Sequence, residues 1–83
     1  MHIVVVGATG ALGSKVAAHL SQAGAQVSGI VRKANHLDQA VVTRHVIADI
    51  TNTDSLRKAF EELAPFDGVI NAAGVVALSL IHI

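Results

Sequence analysis

The chain has 83 residues, 52% of them hydrophobic and 14% charged, with a formal net charge of zero. Zero net charge gives no electrostatic basis for binding nucleic acid or an acidic membrane, and the absence of cysteine excludes disulfides, thiolate catalysis and thiolate metal sites. So apolar a composition in so short a chain points to strands buried on both faces. The apolar start at Ile3 is too short for a secretory signal and has no basic segment before it, so a cytoplasmic location is expected.

Met1 to Val6 reads as a first strand, because the run Ile3-Val4-Val5-Val6 is continuously β-branched and fits a central parallel strand. His2 is read as a residue at its solvent edge. Gly7-Ala8-Thr9-Gly10-Ala11-Leu12-Gly13 follows, spaced G-x-x-G-x-x-G rather than the commoner G-x-G-x-x-G. Each glycine has a physical task in a strand-turn-helix that binds a dinucleotide pyrophosphate. Gly7 turns the chain, Gly10 lets backbone N–H groups approach phosphate oxygens, and Gly13 brings the helix close to the sheet. The helix N-terminus then faces the anion. The alternative is a glycine-rich turn with no ligand.

Ala11 to Ala23 reads as a helix, with Leu12, Val16 and Leu20 as the buried stripe, flanked by Ala17 and Ala23, and Ser14, Lys15, His19 and Gln22 on the wet face. Gly24 is the expected stop. His19 has no partner at ligand spacing, so no metal site is expected. Gln26 to Val31 is the second strand. It runs into Arg32-Lys33, where an NAD-binding chain usually offers an acid to the ribose 2′-hydroxyl. A carboxylate would repel a 2′-phosphate, whereas a guanidinium binds it with paired hydrogen bonds. Arg32 therefore favours NADP(H), with NAD(H) as the alternative; both side chains also suit an ordinary solvated strand end.

Ala34 to Val42 demands no full helix. Thr43 to Ala48 reads as the third strand, with Val46, Ile47 and Ala48 inside. Asp49-Ile50-Thr51 follows, and two readings of Asp49 stand side by side: acceptor for an adenine amino group, or turn chemistry. Thr53 is the expected N-cap of a second helix, with Asp54 in its first turn. Its buried stripe is Leu56, Ala59, Phe60 and Leu63, and Pro65 ends it. Asp67 to Ala72 is the fourth strand. It leaves through Asn71-Ala72-Ala73-Gly74, small residues that let a cofactor lie across the strand ends.

The glycine motif at 7–13 and Asn71-Ala72-Ala73-Gly74 together resemble the N-terminal half of a short-chain dehydrogenase/reductase. The spacing is similar to the extended or atypical branch, which includes nucleoside-sugar epimerases, reductases and NmrA-like proteins. The resemblance covers residues 1–77. It implies that Gly7, Thr9, Gly10, Ala11, Leu12 and Gly13 line the pyrophosphate. Arg32 would lie at the adenosine ribose, Asp49 and Ile50 at the adenine, and Asn71, Ala72, Ala73 and Gly74 alongside the cofactor. The family's catalytic Tyr-x-x-x-Lys has no counterpart, because the chain contains no tyrosine. Residues 78–83 match the in-frame translation of a transposon adaptor (CTG TCT CTT ATA CAC ATC) and are expected to lie outside the natural sequence.

The expected fold is a doubly wound parallel α/β sheet of Rossmann type, strand order 3-2-1-4, since right-handed crossovers make this the simplest winding. The expected function is the cofactor-binding half of an NADP(H)-dependent oxidoreductase acting on an unidentified small molecule, without catalytic residues of its own. The alternatives are a non-catalytic NADP-sensing protein of the NmrA-like kind and a nucleotide-sugar epimerase or dehydratase that holds NAD.

Overall fold

The apolar run Ile3–Val6 forms the middle of a parallel sheet, as its two-sided burial requires. The structure, a computed structural model, describes residues 1–33 and 37–73. Gly74 and the segment 78–83 lie outside the described residues, as do residues 34–36. The elements are β1 (His2–Val6), α1 (Ala11–Gln22), β2 (Gln26–Val31), β3 (Val42–Ile47), α2 (Thr53–Leu63) and β4 (Gly68–Asn71). All strand pairs are parallel, in the order β3-β2-β1-β4. This is the expected winding, and each strand begins or ends within a residue or so of its expected bounds.

Strand alternation divides the core into two layers. Val4, Val6, Ile30, Ala48 and Ile50 meet the stripe Leu56, Ala59, Phe60 and Leu63 of α2. Ile3, Val5, Val27, Val31 and Val42 meet Ala8 and Ala17 on the other side. Each fully buried Leu or Phe contributes roughly 1.5–3 kcal/mol of hydrophobic stabilisation.

Three expectations about side chains are corrected. Leu12 is 62% exposed, not part of a buried stripe. Gly13 and Ala17 are the buried residues of α1, with Val16 and Leu20 half-buried. The reason is the close approach at Gly13, which turns that residue to the sheet and Leu12 aside. Ile47 is 59% exposed. Its neighbour Ala48 faces α2, so Ile47 points to the other face, where α1 packs on β1 and β2 and leaves the end of edge strand β3 open. The N-cap of α2 is Asn52, not Thr53: its side-chain oxygen accepts from the Ser55 N–H at 2.9 Å.

His2 is also more than an edge residue. Its Nδ1 lies 2.7 Å from the Pro65 carbonyl and its Nε2 2.6 Å from Ser28 Oγ. A carbonyl only accepts, so Nδ1 carries the proton, and in the neutral ring Nε2 accepts from the hydroxyl. Ser28 is fully buried. The ring thereby ties β1 to β2 and to the segment after α2, at the N-terminal rim of the sheet.

The helix ends follow local chemistry. Gly24 adopts φ +92° after α1, a conformation that side chains resist, and acts as the expected stop. Ala64 is extended (φ −65°, ψ 151°), as the residue before a proline prefers, and α2 stops at Leu63. The C-terminal ends of all four strands share one rim. There the chain direction of the winding reverses between β1 and β4, the place where open α/β sheets bind ligands.

Candidate functional site

The turn from β1 into α1 sits at that reversal. Gly7 has φ +83°, and its N–H donates to the Ile30 carbonyl at 2.8 Å. A Cβ there would stand 2.9 Å from Cβ of Ala73. At Gly13 a Cβ would collide with the Gly7 carbonyl oxygen. The chain's own packing therefore explains both glycines.

Gly10 is different. Its backbone is ordinary (φ −72°, ψ 168°), it is exposed, and a Cβ would meet only the Gly7 oxygen, at 3.5 Å, an ordinary contact. Among the described residues no packing contact requires glycine there, although glycine also suits an N-cap position. With no side chain at position 10, the backbone N–H groups of the turn stay open to a group approaching from outside.

The two helices differ in the same sense. α2 caps itself with Asn52 and carries Asp54 in its first turn, paired with Arg57 at 2.7 Å. α1 has no side-chain cap and no acidic residue in its first turn. Its first N–H groups, at the exposed residues Ala11 and Leu12 and the buried Gly13, lack intrahelical acceptors, and the helix end is partially positive. This geometry suits the two phosphates of a pyrophosphate. Half-buried Thr9 borders the same turn.

Along the rim from β1, the exposed Arg32 and Lys33 follow β2. Arg32 shares an open depression of about 400 Å³ with Ile47, Ala48, Asp49, Thr51 and Ser55. Asp49 Oδ1 accepts from the Thr51 hydroxyl at 2.6 Å and the Thr51 N–H at 3.0 Å. These two bonds hold its carboxyl below the usual value of 3.8, and the nearby Arg32 charge adds to them. The Asp49 N–H donates to Ser55 Oγ at 3.0 Å. Its carbonyl accepts from the Asn52 N–H at 3.0 Å. The side chain of Ile50 is buried beneath α2, so at this rim Ile50 offers its backbone.

On the other side of β1, Ala72 N–H donates to the Val6 carbonyl at 2.9 Å, and Asn71 Oδ1 accepts from the Ala73 N–H at 3.1 Å. Ala73 thereby packs against Gly7. The structure thus lays the expected residues along one edge: 49–50, 32, 7–13 and 71–73. The turn chemistry expected of Asp and Thr in Asp49-Ile50-Thr51 is present, whereas sequence reading missed Ser55 as a further partner of Asp49. A second depression, about 430 Å³ and lined by residues including His2, Arg44 and Asp67, opens at the opposite rim, away from the strand C-termini.

A parallel sheet of this order, with a glycine turn opening an uncapped helix at its reversal point, defines a dinucleotide-binding α/β domain of Rossmann type. The family model described as the NAD dependent epimerase/dehydratase family matches residues 3–80, and the chain belongs to that family. The family is one of the extended short-chain-dehydrogenase-like kind and binds a nicotinamide dinucleotide. Among solved structures, the protein lin1944 from Listeria innocua is similar, with 30% sequence identity and a TM-score of 0.71. The likeness covers 99% of this chain and 38% of that one, so the chain spans well under half of that neighbour's length. No curated protein matches the chain. Among the described residues, no helix is long and apolar enough to cross a membrane.

Proposed function

We propose that this chain is the cofactor-binding portion of an NADP(H)-dependent oxidoreductase, whose acid–base groups and substrate pocket lie in sequence beyond it. The observation that carries the dinucleotide site is Gly10. Among the described residues it is a glycine without a conformational or packing need, set at the N-terminus of α1, which has no side-chain cap. In this reading the turn 7–13 holds the pyrophosphate, Asp49 and Ile50 border the adenine, and Asn71 to Ala73 run beside the rest of the cofactor. The nicotinamide supplies hydride chemistry when bound; the protein's part is to bind and orient it.

Arg32 supports NADP(H). It is exposed at the end of β2, it has no acidic side chain beside it in sequence, and among the described residues it forms no ion pair. It is thus available to a 2′-phosphate. The family match favours a second reading, an epimerase or dehydratase of nucleotide sugars that holds NAD. A Tyr-x-x-x-Lys in the continuing sequence is needed by the oxidoreductase and the epimerase alike, and its absence there would favour a non-catalytic NADP sensor.

The test of the cofactor is a comparison of NADPH and NADH binding to the full-length protein and to Arg32→Ala. We expect NADPH to bind more tightly, and the substitution to erase a preference of about tenfold or more, the worth of one charge-assisted contact. Equal affinities in the unmutated protein overturn the NADP assignment.

A further inference from the structure

We infer that the depression at the N-terminal rim of the sheet is a second binding site, one that takes a short peptide with both termini free. It lies at the opposite end of the strands from the glycine turn, so it is independent of the dinucleotide reading.

The inference is carried by two opposite charges that line one depression without neutralising each other. Arg44, on β3, and Asp67, just before β4, both border its volume of about 430 Å³. They form no ion pair; among the described residues the ion pair formed is that of Asp54 with Arg57. Sheet order explains their separation. In the order β3-β2-β1-β4 the two strands lie three spacings apart, roughly 14 Å between backbones. Each charge is steadied by a bond to the backbone. Arg44 Nη2 donates to the Glu62 carbonyl at 3.1 Å, and Asp67 Oδ2 accepts from the His2 N–H at 2.7 Å. The rest of the guanidinium and Asp67 Oδ1 have no partner among the described residues. Neither has the side-chain amide of exposed Gln26, which borders the same depression on β2.

The wall between the charges is fixed and largely apolar. Both nitrogens of the His2 ring are engaged, one by the Pro65 carbonyl and one by Ser28 Oγ, so the ring presents no free donor or acceptor. Phe66 stands edge-on to it, with centroids 6.4 Å apart and planes at 82°, and also packs on Phe60. A complementary ligand has an anionic end for Arg44, a cationic end for Asp67 and an apolar group between them. In a single amino acid the two charges are too close together. Two or three extended residues span roughly 7–11 Å, which the reach of the arginine side chain completes. The peptide carboxylate suits the paired donors of a guanidinium, the ammonium suits Oδ1, and the amide bonds between suit Gln26. The volume is that of a small-ligand site, about 300–1,000 Å³.

The experiment titrates the full-length protein with alanyl-leucyl-alanine and follows the backbone amide signals by NMR. It is repeated with the N-acetylated and the C-amidated peptide, and with the variants Arg44→Gln and Asp67→Asn, the second of which keeps an oxygen for the His2 N–H. The free tripeptide should bind with a Kd on the order of 1 mM, as suits an open depression. Signals of His2, Gln26 and Asp67 should move and those of Gly10 to Gly13 should not. Blocking either terminus should weaken binding about fivefold, the scale of an ion pair open to solvent. Amidation should cost nothing further in Arg44→Gln, and acetylation nothing further in Asp67→Asn, because the partner of the blocked group is already gone. No response to about 10 mM free tripeptide overturns the site. Equal binding of free and blocked peptides by the unmutated protein overturns the reading of the termini without recourse to a variant. Blocking penalties that persist in both variants overturn the roles of Arg44 and Asp67, and signal movement confined to Gly10 to Gly13 overturns the location.

Discussion

The carbonyl oxygen of Gly7 occupies the space where residue 13 would carry a Cβ. This pair sets how closely α1 lies on the sheet, and it makes the last glycine of the motif a packing residue first. Gly13→Ala should therefore destabilise the fold whether or not a ligand is present. Forcing one carbon into such a contact costs about 1–3 kcal/mol. Thermal or urea unfolding without cofactor checks this, and an unshifted midpoint would count against the close approach.

Gly10→Ala should behave in the opposite way. The position is open and its backbone is ordinary, so stability should change by less than about 1 kcal/mol, the scale of an N-cap preference. If the turn holds the phosphates as proposed, dinucleotide affinity should fall by about tenfold or more, because the added methyl would stand in their path. Melting and titration on the same preparation separate the two effects. A variant that melts early and binds normally would contradict the assignment.

The half-buried His2 and the fully buried Ser28 form a polar couple at the other end of the sheet. Truncating the ring in His2→Ala takes the partner from the Ser28 hydroxyl beside an open depression, which costs about 0.5–1.5 kcal/mol, the net worth of one hydrogen bond. Ser28→Ala removes the stranded group as well. The double variant should thus be more stable than the sum of the single losses predicts, and a double-mutant cycle measures the difference. Strict additivity would show that the two side chains do not interact.

Acid should weaken the fold through Asp49. Its folded-state pKa is depressed, chiefly by the Thr51 hydroxyl and N–H bonds. A depressed carboxylate stabilises the folded state fully above its unfolded value, 3.8, and this contribution disappears as pH falls from there through the folded value. Asp49→Asn has no such step. The melting difference between the two proteins, followed downward from neutral pH, should hold steady and then narrow below pH 3.8. A difference that widened on acidification would reverse the assignment.

Much of this was legible in the residues because period and pattern agreed. Ile3–Val6 has no polar alternation and became the central strand. Leu56, Ala59, Phe60 and Leu63 recur at helical spacing, and all four are buried. Leu12 fits a stripe as well as Val16 does, yet the stripe is rotated by a backbone contact at Gly13 that hydropathy does not encode. Asn52 and Thr53 are both good caps, and the choice between them depends on which residue stays extended. Ile47 is apolar enough for a core, but it lies at the end of edge strand β3, on the part of the α1 face that α1 does not reach. His2 carried no local signal, since its partners Ser28 and Pro65 are 26 and 63 positions away. Of the candidate site, the glycine turn was visible in sequence. The bond from Asp49 to Ser55 was not, because it depends on how a turn folds back onto the first turn of α2.

The placing of β1 has a consequence for how the chain is made. Of the four described strands, the first to leave the ribosome is in the middle of the sheet, and the strand that flanks it on one side, β4, begins only at Gly68. At roughly 5–20 residues per second, several seconds pass between synthesis of the two. Through that interval three successive valines stand with one row of backbone groups unpaired, next to an edge that any extended segment could join. Early pairing with β2 covers only one side. The same long-range closure that gives the domain a buried centre therefore leaves the nascent chain exposed to misassociation until nearly all of the described sheet has been synthesised.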